Sequence, residues 1–437
     1  RPPRSTLFPY TTLFRSCTAP AKVVKENRLH HAVHLTLKCA ANCGQFMWTS
    51  SPHVTGGKLL VNMRMLHAYL MSGILYVQYK RFSKAAGIGW LGDTFLQSMK
   101  ETYLQATDEE ASASMEDALN HEVGKAIFAG QPGINILTDA RHGWRKNAKD
   151  TDVVCLGGDS HKVIKIAHVT KSDEVSSQKH ELVGTKRIME DLENEGVPVM
   201  IHTHDGNASV TKYVAENFET ENSYDTWHAT KGITKEMKKV TTGPKYKEGV
   251  TWHNELSDKG PSIRTHVYWA MKNCDNSAEK LIERIDNIIP HYKRDHTNCH
   301  PTSRCVADPD YEATKDKITD PKAEALLSKA LKSLRMYKSP QDYIYCQSTH
   351  YVESFNNVAL IYHDKRIKFG TQEYKRRSLM SAIEWNENVD RDYSSITYRS
   401  STLAPRRNQG HKNLKPKTFA FFNSIWMRVM QKMYKYM

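Results

Sequence analysis

Three acidic residues in this chain stand where local structure would let them hold metal ions. Asp139 closes an apolar run, Ile134-Asn135-Ile136-Leu137-Thr138, and Asp205 follows a second one over residues 197–203. Glu353 lies in His350-Tyr351-Val352-Glu353-Ser354-Phe355-Asn356-Asn357, which reads as the start of a helix. Carboxylates so placed can hold two divalent cations about 3.5–4 Å apart and support attack of water or a hydroxyl on a phosphate. Mg2+ suits hard carboxylate oxygens, with Mn2+ as its substitute. Lone Asp and Glu residues are common, and each has the plain alternative of a strand-end cap or an exposed charge. The intervening elements must therefore bring the three together.

Those elements fall in a definite order. Residues 134–138 read as a strand. Residues 153–156 and 162–169 flank Gly157-Gly158-Asp159-Ser160, whose side chains suit a hairpin turn. Residues 179–195 carry Leu182, Val183, Ile188, Met189 and Leu192 at helical intervals, ending at Gly196-Val197-Pro198. A strand over 199–203, a helix over 208–218 and a short strand around Tyr224 follow. Strand, strand, strand, helix, strand, helix, strand is the order of an RNase H-like mixed α/β sheet. In that order strands one and four are neighbours, so Asp139 and Asp205 should stand side by side. The Glu353 helix must then cross the sheet face, with the carboxylates within about 4–8 Å. Glu373 and Glu384 are the alternative third acids.

Further motifs accompany the acids: Trp48-Thr49-Ser50-Ser51-Pro52, Val61-Asn62 leading to Ser72-Gly73, Thr138-Asp139-Ala140-Arg141 through Asn147-Ala148, Asp205 with Ser209, Lys212 and Tyr213, and Asp225-Thr226-Trp227-His228 with Lys231. In this order, and with Glu353-Ser354-Phe355-Asn356-Asn357, they resemble eukaryotic cut-and-paste DDE transposases of the Mutator-like and Kolobok-like kind. The resemblance covers roughly residues 43–390 and is weakest over 240–340. Ala140 stands where that family has Gly, His204 where it has Thr or Ser, and Gly206-Asn207 where it has Arg-His. The resemblance implies metal-dependent DNA cleavage and strand transfer by Asp139, Asp205 and Glu353. His228 would act close by, orienting the scissile strand or bracing a carboxylate, with Asp225 fixing its tautomer; the alternative is Trp227 as core filler and His228 as its neighbour. Transposon-end and target DNA as partners, a homo-oligomer and a nuclear location are also implied.

Residues 1–16 resemble a translated sequencing adapter and are set aside from fold reasoning; on that reading the native N-terminus lies outside this sequence. Lys and Arg number 62 against 48 acids, a net charge of +14, which suits a polyanionic partner such as DNA. No run approaches the ~18 apolar residues needed to cross a membrane. Eight cysteines in 437 residues do not suggest a disulfide framework. For Cys17, Cys39 and Cys43 the resemblance to those transposases implies three ligands of a truncated zinc ribbon over residues 17–50; the alternative is plain thiols. His296, Cys299 and Cys305 form a second candidate zinc group, with Cys274 or His291 as the fourth ligand.

Helices are expected over 59–75, 95–104 and 115–128, giving a helical N-terminal region over 51–130. The first part of the sheet domain covers 131–228. A large helical insertion, with amphipathic stretches at 278–289 and 323–334, fills 229–345 before the last part at 346–400. Lys235, Lys238, Lys239, Lys245 and Lys247 either track DNA phosphates or form a solvated helix end. Residues 401–417 read as a basic linker containing Arg406 and Arg407. Residues 419–436 read as an amphipathic helix that docks on the core or on a second subunit. Two functions stay open: an active transposase, and a catalytically inactive, transposase-derived DNA-binding protein.

Overall fold

The apolar and alternating runs between residues 134 and 224 make one five-stranded sheet. The structure, a computed structural model, describes residues 17, 19–144, 147–398 and 410–435. It divides into two compact units, one made of residues up to 114 with those from 358 onward, the other of residues 115–357.

In chain order, β1 (Ala21–Leu29), β2 (Ala32–Cys39) and β3 (Gln45–Thr49) form a small antiparallel sheet, followed by α1 (Leu60–Met71), α2 (Tyr76–Ala85) and α3 (Asp93–Phe128). The larger sheet is built from β4 (Ile134–His142), β5 (Asp150–Gly157), β6 (Val163–Thr170), β7 (Val199–His204) and β8 (Glu221–Tyr224), with α4 (His180–Asn194) and α5 (Ala208–Asn217) between its later strands. The insertion holds α6 (Thr226–Thr241), α7 (Gly260–Lys272), α8 (Ala278–Asp286), α9 (Ile288–Tyr292), α10 (Arg304–Ala307), α11 (Pro321–Ser333) and α12 (Arg335–Lys338). The chain ends with α13 (His350–Val358), α14 (Thr371–Asn388), β9 (Tyr393–Thr397), β10 (His411–Leu414) and α15 (Ala420–Lys435).

The large sheet has the order β6-β5-β4-β7-β8. β5 pairs antiparallel with β4 and β6, whereas β7 pairs parallel with β4 and β8, so the sheet is mixed. Side chains alternate across a strand. Ile134 and Ile136 therefore share one face, where they pack with Leu119 of α3, Ile188 and Leu192 of α4 and Val210 of α5. Leu137, Asp139 and Arg141 point to the other face. Glu122 of α3, buried, accepts the amides of Asp159 and Ser160 at 2.8 Å each and so fixes the β5–β6 turn.

The insertion has its own core, in which Ile233, Leu256, Ile263, Leu281, Leu327 and Tyr343 are among the buried members. In the other unit, Ser51 Oγ accepts the Val61 amide at 2.9 Å, and Asn62 bridges the His31 amide (2.9 Å) and the Leu29 carbonyl (3.1 Å). Buried Arg377 donates to the carbonyl of Gly73 at 2.6 Å. The Trp-x-Ser-x-Pro, Asn and Ser-Gly motifs thus lie in one anchored helical framework. α15 buries Phe421, Ile425, Trp426 and Val429 within this unit.

Several expectations are corrected. The first strand does not end at Asp139: pairing with β5 carries β4 to His142, while pairing with β7 stops at Leu137↔Thr203. Residues 95–104 and 115–128 belong to one 36-residue helix, and Tyr76–Ala85 is a separate one. Within the supposed linker, His411–Leu414 pairs with Tyr393–Thr397 as a strand. The compact division puts α14 with the N-terminal helices rather than with the sheet. Residues 401–409, with Arg406 and Arg407, and residues 1–16 lie outside the described residues.

α4 crosses β5 at Gly184, where an added Cβ would come within 2.3 Å of Val153 Cγ2. Gly184→Ala should therefore cost about 1–3 kcal/mol by overpacking. It should lower the denaturant midpoint at constant slope; an unchanged midpoint would contradict this packing.

Candidate active site

The parallel register of β4 and β7 sets the first two acids. Leu137 and Thr203 are partners, and Asp139 and Asp205 each lie two residues further along. Neighbouring strands run about 4.8 Å apart, so the register places Asp139 and Asp205 just beyond the last paired residues of two adjacent strands.

The turn after β7 is held from beneath. His202 is fully buried with Nε2 2.7 Å from Thr138 Oγ1, and it stacks on His204. His204 makes a 2.8 Å contact with Asn222 Oδ1 through Nε2 and accepts the Gly206 amide on Nδ1 at 3.1 Å. These partners require the Nε2–H tautomer. Burial pulls the His204 pKa down to about 4, and Arg335 adds to this against the Asn222 bond, so the ring is neutral at pH 7. Gly206 has φ +83°, and a Cβ there would meet the Arg335 guanidinium at 2.6 Å. Arg335 donates twice to the Gly206 carbonyl at 3.2 Å and lies over the Tyr224 ring at 4.0 Å. Asn222 in turn donates to Asp342 at 2.7 Å. The insertion thereby clamps the loop that carries Asp205.

Asp225, at the end of β8, is the centre of the site. Its side chain is buried and caps α6, accepting the amides of Trp227 (3.2 Å) and His228 (2.9 Å). It also accepts the Thr349 amide at 2.9 Å and the His228 ring at 2.7 Å. Burial opposes its charge, but the three amides and the ring outweigh this and hold its pKa below the usual carboxylate range. Four donors fill the acceptor sites of one carboxylate, which leaves Asp225 a brace rather than a metal ligand. His228 Nδ1 also lies 3.2 Å from Asp205 Oδ1, so the ring spans the two aspartates. Trp227 is not core filler: it is 40% exposed, with Lys231 Nζ 2.8 Å from its ring centroid.

The same contact at Thr349 returns the chain to the sheet and starts α13. There, Asn356 Nδ2 donates to Asp139 Oδ2 at 2.8 Å, and buried Arg141 donates to the Asn356 carbonyl at 2.5 Å. Glu353, one turn earlier on the helix, is exposed. Partial burial raises the Asp205 pKa, the charges of Asp225 and Glu353 push it the same way, and His228 and Lys231 oppose. Among the described residues, the group whose ligand atoms all lie within 4.8 Å here is Asp205, Asp225 and His228; Asp139 and Glu353 stand outside it. Glu181 at the start of α4 bonds Asn207 at 2.9 Å, and its pKa is raised by burial and by Asp205. Glu373 and Glu384 are engaged elsewhere, with Arg376 and Arg377 and with Tyr362 and Lys417.

Two sulfur-bearing groups also assemble. Cys17, Cys39 and Cys43 lie with Sγ atoms 3.0–3.3 Å apart. His291, His296, Cys299 and Cys305 form the other, while Cys274 is buried apart with its thiol on the Met271 and Ile344 carbonyls. Sequence reading missed Arg141, Arg335, Asn356, Asn222 and Asp342. Asn356 lay in the motif quoted for Glu353, three residues on and so on the same helix face, and Arg141 in the motif quoted for Asp139; Arg335, Asn222 and Asp342 carry no local signal.

Residues 168–305 match the family model described as Mutator-like transposase. The match runs from β6 through Asp205 and His228 to Cys305, and supports a transposase-like function, one of cutting or transferring DNA. No curated protein matches the chain.

Asp225→Asn would set an amide NH2 against N–H donors that now share the carboxylate. It should cost about 1.5–3 kcal/mol at pH 7. Because the folded pKa is lowered, the wild-type advantage is complete above the unfolded value of about 3.9 and fades as pH falls through the folded one. Denaturant midpoints at pH 7 and pH 3 measure this; an equal gap at both would contradict the charge-based account.

Proposed function

We propose that this chain is a DDE-type transposase with an RNase H-like core, and that Asp139, Asp205 and Glu353 hold the Mg2+ or Mn2+ ions for DNA cleavage and strand transfer. The observation that carries the reading is the alignment of Asp139 with Asp205 by the β4/β7 register, with α13 returned to the same face by Asn356. The sheet order, with its central first strand flanked by parallel strand four, supports the fold assignment.

The residues fit a hard divalent cation. All three donors are carboxylates; burial raises the Asp205 pKa, and the neighbouring charges of Asp225 and Glu353 add to it. A bound ion would offset those charges and lower the barrier to attack of water, then of a DNA 3′-hydroxyl, at phosphorus. The chain's own groups do the positioning. Asn356 orients Asp139, His228 holds Asp205 against Asp225, and Arg335 fixes the loop after Asp205. Exposed Trp227 and Lys231 offer a stacking face and a cation to a DNA strand. On this reading the protein works in the nucleus, as a homo-oligomer engaging transposon ends and target. The second reading, a DNA-binding derivative without turnover, is favoured by the departures at Ala140, His204 and Gly206-Asn207.

The test is Mg2+-dependent cleavage and strand transfer on transposon-end DNA. Asp139→Asn, Asp205→Asn and Glu353→Gln should each reduce the rate about 100-fold or more while leaving DNA binding intact. His228→Ala should slow transfer with binding unchanged. Retained cleavage in one carboxylate variant removes that residue from the site; binding without any cleavage by the parent protein selects the second reading.

A further inference from the structure

We propose that His291, His296, Cys299 and Cys305 form a tetrahedral zinc site that staples the long loop of the insertion. All four ligand atoms lie within 4.8 Å of one another. Cys299 Sγ is 3.6 Å from Nδ1 of both His291 and His296, and Cys305 Sγ is 3.7 Å from His291 Nδ1. With Zn–S near 2.3 Å and Zn–N near 2.0–2.1 Å, the S···N edge of a zinc tetrahedron is about 3.6 Å. The side chains already stand at the edges of that polyhedron, although thiol–imidazole hydrogen bonding alone would not require all four to converge.

The loop itself supplies an independent reason. From residue 293 to residue 317 no residue is buried, and the secondary structure is confined to the four residues of α10 and a few turns. Tyr292 and Ile318, which bracket it, are both buried and are joined by the Ile318 amide on the Tyr292 carbonyl at 3.0 Å. A segment of this length without apolar anchors has little to offset its conformational entropy. A cross-link from α9, through His291, to three points along the loop supplies what the missing core does not.

The donor set selects the ion. Two imidazoles and two thiols arranged tetrahedrally suit zinc over the hard cations expected at carboxylates. Binding releases the two thiol protons, and two thiolates balance the ion's charge, so the half-buried site is neutral. Asn287 Nδ2 lies 3.4 Å from Cys299 Sγ, the contact a thiolate ligand would receive from its surroundings.

The experiment is metal analysis of the full chain purified without added zinc chelator. Cys299→Ser and His291→Ala should each lower the zinc content by one equivalent per chain, whereas Cys274→Ser should not change it. Chelator-stripped parent protein titrated with Co2+ should develop the visible absorption of a tetrahedral, thiolate-bound ion, and Cys299→Ser should lose one equivalent of this band. Stripping should open residues 293–317 to protease, and zinc should restore protection. Asn287→Ala, which leaves all four ligands, should weaken zinc binding by about 10-fold. Unchanged zinc content in both ligand variants, a weak octahedral cobalt spectrum that is the same in parent and Cys299→Ser, or a Cys299–Cys305 disulfide in the purified protein would each overturn the assignment. Should the ligand variants fail to fold, zinc-dependent protection of residues 293–317 in the parent protein decides the matter, and its absence overturns the assignment.

Discussion

The carboxylate of Asp225 joins parts of the chain that sequence keeps far apart. It receives two amides from the first turn of α6, a third from Thr349 at the approach to α13, and the ring of His228. A buried carboxylate is costly unless its charge is fully hydrogen-bonded, and here four donors meet that requirement. Because the donors come from both ends of the insertion, the group that satisfies the charge also brings α13 to the sheet. His228 passes the constraint on to Asp205 at 3.2 Å. The position of Glu353 and the orientation of Asp205 therefore depend on the same buried anion.

A second set of contacts acts on Asp205 from the opposite side. Neutral His204 holds the Gly206 amide, and Arg335 holds the Gly206 carbonyl. The backbone at Gly206 is thus gripped on both its polar groups, in a conformation that favours glycine. Where the resembled family has Arg-His, this chain has a glycine that makes room for an arginine arriving from α12. The departure in sequence thus has a local structural partner in this chain.

What the sequence disclosed follows the physics of each signal. The β5–β6 hairpin and α4 were legible because turn residues and a 3.6-residue apolar period are local. The unity of α3 was not. Its middle packs through Ala106, Thr107 and Ala111, small residues that are fully buried but leave no strong apolar stripe. At the site, Asp139 and Asp205 stood out because each closes an apolar run and Glu353 because it lies on a helix, whereas Arg335 and Asn356 act across 129 and 217 residues of sequence. No periodicity encodes such contacts. His291 and Cys274 could not be told apart as partners of Cys299 by spacing; the placement of α9 separates them.

The insertion shows why so long an excursion is compatible with a fixed site. The chain leaves the sheet at Thr226 and returns at Gln347, and the Thr226 amide meets the Gln347 carbonyl at 3.1 Å. The excursion is closed at its base, and its helices pack on an apolar cluster apart from that of the sheet. Loop-closure entropy grows only logarithmically, by roughly 0.6 kcal/mol for each doubling of length. The placement of Glu353 is thus set by the clamp at Asp225, almost independently of how much chain the insertion contains. What the insertion must conserve geometrically is narrower: α12, because Arg335 reaches back to Gly206, and the segment bearing Asp342, because it supports Asn222 beneath His204. Length in the rest of the insertion is cheap, while these two returns to the sheet are constrained to within a hydrogen bond.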